Sequence, residues 1–314
     1  MPSRARPYAL GLLQALSTVG NITAAVISLA LGHLQQGGAF ADWNILGTEL
    51  KAWRIMFMVG ILPALLVIVI RRRLHEPARW QEAVQTADTA KRAGSYAELF
   101  GHPTWRRNAI VGLVLASMGV IGLWGIVFFF PDLISSVIRN SLADSGMTAN
   151  EIGGEVIWWT AIASIMVNAG GFLGMYSYAY VSQWTGRRLA FLLAFIATLL
   201  CNVFVFANLD SKTDVFWMLP LMGFFQFALF GGYAVYLPEL FPTHLRSTGT
   251  SFCYNVGRLV AAVGPTMLGK LRSEVFSDYA EPVRPAAMVM CGVFIIGMLA
   301  LPFAPETKDQ PLPE

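Results

Sequence analysis

Charged residues punctuate this chain at wide intervals. Between them lie eight apolar stretches, near residues 8–31, 52–72, 108–131, 156–180, 189–208, 215–237, 248–268 and 285–304. At a helical rise of about 1.5 Å per residue, a run of about 20 residues crosses a hydrocarbon core of about 30 Å. The apolar residues run on without the strict alternation over segments of about ten residues that a membrane barrel shows. The pattern therefore predicts an all-α polytopic membrane protein with about eight transmembrane helices.

Composition agrees: of 314 residues 55% are hydrophobic and 13% charged, and mean hydropathy is +0.56. Such a chain cannot supply the basic solvated domain that nucleic-acid binding needs. Its expected surroundings are the lipid bilayer, with no nucleic acid as partner. The net charge of +3 matters less than its distribution. Placing residues 1–7, 71–107, 181–188, 238–247 and 305–314 on one side of the membrane collects 14 Lys/Arg there, against 7 near the opposite ends of the spans. The positive-inside bias makes the richer side cytoplasmic, with both termini on it, in an inner or plasma membrane. Trp53, Trp105, Trp158, Trp159, Trp184 and Trp217 fall near span borders, where indole rings prefer to sit. Arg4 and Arg6 before an apolar run resemble a signal peptide, but the run is too long and carries Gln14, Ser17, Thr18 and Asn21.

Catalysis finds little support. The chain has no His-Glu-x-x-His, P-loop or Cys-x-x-Cys, its four histidines lie in loops or at span edges, and neither metal nor cofactor is expected. Cys201, Cys253 and Cys291 lie within spans and suggest no disulfide framework.

Part of the chain repeats. Val19-Gly20-Asn21-Ile22-Thr23-Ala24-Ala25-Val26 returns as Val256-Gly257-Arg258-Leu259-Val260-Ala261-Ala262-Val263, and each copy follows a Pro-x-x-x-Arg pair, Pro2/Arg6 and Pro242/Arg246. Duplicated helical halves are a common plan for transporters. The longest polar interruption, 73–107, has two spans before it and six after it, and the repeat equates the first span with the seventh. Four further spans are thus expected upstream of Met1. The domains would be 1–72, the last two helices of an N-terminal half; 73–107, a central cytoplasmic loop with a short interfacial helix near Tyr96–Phe100; 108–304, a six-helix bundle; and 305–314, a cytoplasmic tail.

Arg258 sits mid-span, where a charge is costly and needs a partner. Ser251, Asn255 and Arg258 share one helix face, and under the repeat they correspond to Gln14, Thr18 and Asn21. Two matching polar stripes suit a central solute pathway; they equally suit hydrogen bonds between helices. Trp124, Asn168, Gln226 and Tyr233 are further mid-span candidates for the pathway. No Asp or Glu lies at mid-membrane depth, so either another helix or the solute itself supplies a carboxylate to Arg258.

Four local motifs carry a family resemblance. Thr185-Gly186-Arg187-Arg188 resembles an Asp-Arg-x-Gly-Arg-Arg turn, with Gln183 and Trp184 in place of the Asp and Arg. Glu239-Leu240-Phe241-Pro242-Thr243-His244-Leu245-Arg246-Ser247-Thr248-Gly249 matches Glu-x-Phe-Pro-x-x-x-Arg-x-x-Gly in full. Glu76-Pro77-Ala78-Arg79-Trp80 and the tail Pro305-Glu306-Thr307-Lys308 are looser likenesses, the tail carrying Asp309 where Gly is usual. Together they resemble the major facilitator superfamily, in its sugar-porter and metabolite:proton symporter branches.

The resemblance implies a partial major-facilitator fold and alternating-access transport of a small polar metabolite such as a sugar or organic acid, as proton-coupled symport. It implies that Arg187, Arg188, Glu239 and Arg246 belong to a cytoplasmic gate whose ion pairs hold two halves together. The competing reading is an eight-helix membrane protein that transports nothing and serves as an assembly partner or sensor.

Overall fold

The computed structural model describes residues 5–40, 43–45, 48–49, 51–73 and 94–313. Pro2, Arg4 and the Glu76–Trp80 motif lie outside the described residues, as does most of the connector.

Helix α1 (Arg6–Gln36) runs unbroken for 31 residues. The second stretch is divided into α2 (Ala52–Val59) and α3 (Leu62–Arg73). Gly60 and Pro63 account for the break, since glycine is a poor helix former and proline lacks the amide that would continue the ladder. A two-residue antiparallel ladder, β1 (Asn44–Ile45) with β2 (Thr48–Glu49), precedes α2. Ser95 caps the short helix α4 (Tyr96–Gly101) by accepting the Glu98 amide, which places a helix where the interfacial segment was expected.

The bundle proper follows as α5 (Pro103–Gly125), α6 (Phe130–Ser141), α7 (Ala149–Thr185), α8 (Arg187–Asn208) and α9 (Val215–Glu239). Helix α7, expected over 156–180, is longer because polar turns extend it at both ends. At its start Thr148 and Glu151 form a reciprocal capping box. Among the described residues seven helices are long and apolar enough to cross a membrane. The expected span at 248–268 is helical but segmented. It comprises α10 (Thr243–Ser251), a π turn (Phe252–Val256), α11 (Gly257–Ala261), α12 (Val263–Lys270) and a second π turn (Leu271–Val275). The last span divides into α13 (Val283–Met290) and α14 (Val293–Ala300), and a 3-10 turn (Leu301–Phe303) ends it.

Helices α7 and α9 make the closest crossing. A Cβ at Gly174 would lie 1.9 Å from the Phe224 carbonyl oxygen, and one at Gly223 would lie 1.9 Å from that of Val167, so the two backbones meet only because both positions lack a side chain. Behind this crossing the Phe191 ring is enclosed by Tyr178, Tyr233 and Tyr236 at 5.2–5.5 Å. Cys201, Cys253 and Cys291 are buried free thiols.

Helix α1 lies antiparallel along α7. Tyr8 meets Tyr180 at 4.6 Å between ring centroids, and the Asn21 amide donates to Asn168 Oδ1 at 2.9 Å. The remaining face of α1, with Leu12, Leu13, Leu16 and Val19, is exposed, as are α2 and α3 and the row Leu259, Val260, Val263 and Met267.

Successive spans alternate in direction, so the Arg-rich loops gather at one end of the bundle. At the opposite end Arg284 closes α8: its guanidinium donates to the carbonyls of Phe206 (3.1 Å) and Leu209 (2.9 Å) and to Asp210 (2.8 Å), and it pairs with Glu281. A cation on the last carbonyls of a helix satisfies acceptors that have no intrahelical partner.

Candidate functional site

A cavity of 620 Å³ opens between α1, the C-terminal half of α9 and the 243–255 stretch. Gln14 reaches it from α1; Phe230 and Tyr233 form one wall; Thr250, Ser251, Tyr254 and Asn255 form the other. Of the residues expected on a solute pathway, Gln14, Ser251, Asn255 and Tyr233 therefore meet at one place. Asn255 donates to the Ser251 hydroxyl at 2.9 Å, while the Tyr233 hydroxyl is spent on the Leu115 carbonyl at 2.8 Å, leaving its ring face for the cavity.

Arg258 lies just past the lining, with its guanidinium 4.4 Å from the centroid of the Tyr254 ring. This cation–π contact supplies part of what a charge loses on leaving water. Among the described residues no carboxylate pairs with Arg258. The π turn at 252–256 inserts an extra residue between Ser251 and Arg258, and such turns recur where a helix serves a site. Tyr254, within this turn, and Thr250, just before it, also line the cavity, and neither was expected there. The Tyr254/Arg258 spacing of four was a usable signal for the first. For Thr250 there was none, and its hydroxyl is buried without a hydrogen-bond partner among the described residues.

Other expected pathway residues go elsewhere. Gln226 is fully buried inside the bundle, where its amide donates to the Gly119 carbonyl (3.1 Å) and accepts from Asn202 (3.3 Å), so it does not line the cavity. A mid-span amide looks the same in sequence whether it faces a pathway or a neighbouring helix, and here α5 and α8 claim it. Asn21 and Asn168 bind each other across the α1–α7 contact and do not line the cavity. Trp124 packs at a tilt against Phe128, 5.0 Å between ring centroids, and does not line the cavity.

At the Arg-rich end the expected gate residues separate. Arg187 and Glu239 form a bidentate pair at 2.9 and 3.0 Å with 4% and 11% of their side chains exposed. The Thr307 hydroxyl adds a donor to Glu239 at 2.6 Å, and Arg187 also donates to the Ser182 carbonyl at 3.2 Å. Glu306, from the tail, accepts the backbone amides of Arg187 and Arg188 and those of Thr307 and Lys308, so it caps the start of α8. Burial alone would raise its pKa, but these four amides outweigh it and hold the carboxyl below its ordinary range. Gly186, at φ 88°, makes the turn that brings both arginines to Glu306. All these contacts lie within residues 182–308, so the knot fastens the bundle to its own tail; among the described residues it does not bridge to α1–α3. Arg188 donates to the Pro302 carbonyl, and Arg246 donates to those of Pro238 and Phe241.

The sequence pattern of the Major Facilitator Superfamily fits residues 1–265. The chain belongs to that superfamily. The cis,cis-muconate transport protein of Acinetobacter baylyi is 28% identical over 298 residues, 93% of this chain and 64% of that protein. The sialic acid transporter NanX of Escherichia coli is 27% identical over 223 residues, 70% of this chain and 49% of its own length. The proline/betaine transporter of the same species is 23% identical over 321 residues, 99% of this chain and 58% of its own length. The chain thus spans about half to two thirds of the relatives it matches. With this membership and seven helices among the described residues that are long and apolar enough to cross a membrane, the chain is an integral membrane protein.

Proposed function

We propose that this chain forms one wall of a secondary transporter that moves a small organic carboxylate by alternating access, coupled to protons. The observation that carries this reading is the shared cavity: Gln14 from the first helix and Tyr254 and Asn255 from the segmented helix face one 620 Å³ space, with Arg258 stacked on its Tyr254 wall. A cation at that depth is retained only if something anionic meets it. The solutes in the relatives' names, muconate, sialic acid, proline and betaine, differ in shape and size, and each bears a carboxylate. That shared group favours an organic acid over a neutral sugar.

In this reading the Arg-rich end faces the cytoplasm, as the positive-inside bias argues. The exposed apolar faces of α1–α3 and of Leu259, Val263 and Met267 are covered by further helices of the same transporter and by lipid. The Arg187–Glu239–Thr307 knot keeps the bundle rigid while it rocks, and the inner gate closes against its outer surface. Because the described spans hold no carboxylate at mid-depth, the proton site lies on another helix.

The test is uptake of labelled cis,cis-muconate by cells expressing the transporter with all its helices, with and without an uncoupler. Arg258→Ala should abolish uptake and Arg258→Lys should keep part of it. Undiminished uptake by Arg258→Ala would refute the role of the arginine, and insensitivity to the uncoupler would refute the coupling.

A further inference from the structure

A second groove lies on the outside of the bundle, where α5 meets α14 and the turn 301–303. It encloses 370 Å³ and is lined by Arg107, Ile110, Val111, Val114, Ala300 and Phe303. All of the lining but Arg107 is apolar, and Arg107 stands at the Arg-rich end. Its guanidinium is exposed and, among the described residues, donates only to the Phe303 carbonyl, at 3.1 Å. Arg188, also exposed, reaches the adjacent carbonyl of Pro302 at 3.4 Å. Two guanidinium groups thus flank one turn, each with further N–H donors in hand. The nearby acids are already engaged: Glu306 accepts four backbone amides and Glu239 pairs with Arg187. Trp105, stacked with His102 at 5.3 Å, marks the polar border of the membrane at the same level.

We propose that this groove seats an acyl chain of an anionic glycerophospholipid whose phosphodiester rests between Arg107 and Arg188. Charge complementarity selects the occupant. An apolar groove by itself accepts any chain, whereas paired guanidinium groups at its mouth favour a phosphate that can take several N–H donors at once. On the orientation proposed above the groove opens into the cytoplasmic leaflet, where anionic lipids and basic interhelical pockets meet. The site faces lipid, is separate from the central cavity, and needs no residue outside this chain.

The test titrates the purified chain in a neutral detergent with phosphatidylglycerol or phosphatidylcholine and counts bound lipid by native mass spectrometry, with inorganic phosphate as the arm without an acyl chain. Phosphatidylglycerol should bind more tightly. Arg107→Gln and Arg188→Gln should each lower its affinity about fivefold, the factor one basic residue near an anionic surface contributes, and leave phosphatidylcholine unchanged. Val114→Trp, which fills the groove, should weaken both lipids, and Arg107→Lys should keep most of the preference. Circular dichroism of each variant separates loss of the site from loss of the fold. Equal affinity for the two lipids, or an undiminished preference in the Arg107→Gln/Arg188→Gln double variant, overturns the proposal. Binding of inorganic phosphate at comparable concentration overturns the acyl-chain part and leaves a free-anion site.

Discussion

Glu239→Gln removes the charge that Arg187 faces and changes almost nothing else in shape. Both side chains are nearly sealed from solvent, at 11% and 4% exposure, and they meet through two hydrogen bonds of 2.9 and 3.0 Å. Removing one partner of such a pair strands the other charge, which costs about 3–5 kcal/mol. Glutamine keeps one acceptor oxygen and Arg187 keeps the Ser182 carbonyl at 3.2 Å, which places the expected loss at the low end, about 3 kcal/mol. At roughly 2–4 °C per kcal/mol for a large domain, the unfolding midpoint should fall by about 6–12 °C. Thermal unfolding in detergent, followed by far-UV circular dichroism, reads this directly. The double variant Arg187→Met/Glu239→Leu removes both charges together and should recover at least half of the loss, because an apolar pair of similar volume carries no desolvation penalty. A single variant within about 1 kcal/mol of the parent, or a double variant no better than the single one, would refute the claim that the buried pair holds this end together.

Gly223→Ala places a methyl group 1.9 Å from the Val167 carbonyl oxygen, so α7 and α9 must separate; a loss of about 1–3 kcal/mol is expected in the same unfolding assay, and a neutral variant would contradict the close crossing. Gln226→Leu leaves the Gly119 carbonyl and the Asn202 amide without their partner and should cost about 1–3 kcal/mol, with solute uptake by the surviving folded protein unchanged; loss of uptake in a fully stable variant would return Gln226 to the pathway. Glu306 has a lowered pKa, so its contribution is present above the ordinary carboxylate value, about 4.3, and is lost as pH falls through the lower folded value. A fluorophore on Asp309→Cys should therefore stay immobile from neutral pH down to that range and loosen below it, while Glu306→Gln should loosen the tail at neutral pH. Anisotropy that falls already between pH 7 and 5 in the parent would contradict the assignment.

The all-α membrane class was legible in the sequence because continuous apolar runs of spanning length leave the backbone no alternative to helix in lipid, and a helix satisfies its own amides. The family was legible in short motifs, of which Glu239–Gly249 and Pro305–Lys308 prove to meet through Glu239 and Thr307. What the sequence left open was which way each mid-span polar group faces. Gln226, Asn168 and Asn21 carry the same hydropathy signal as Gln14 and Asn255, yet the first three hydrogen-bond to neighbouring helices away from the cavity and the last two line it. Facing depends on the rotation of each helix against its neighbours, and that rotation is set at a distance, by the glycine crossing of α7 and α9 and by the π turn at 252–256. The apolar pattern alone determined that the chain spans a membrane; only the packing of one helix on another, where a missing Cβ or an extra residue in a turn decides the angle, chose the residues that share a site.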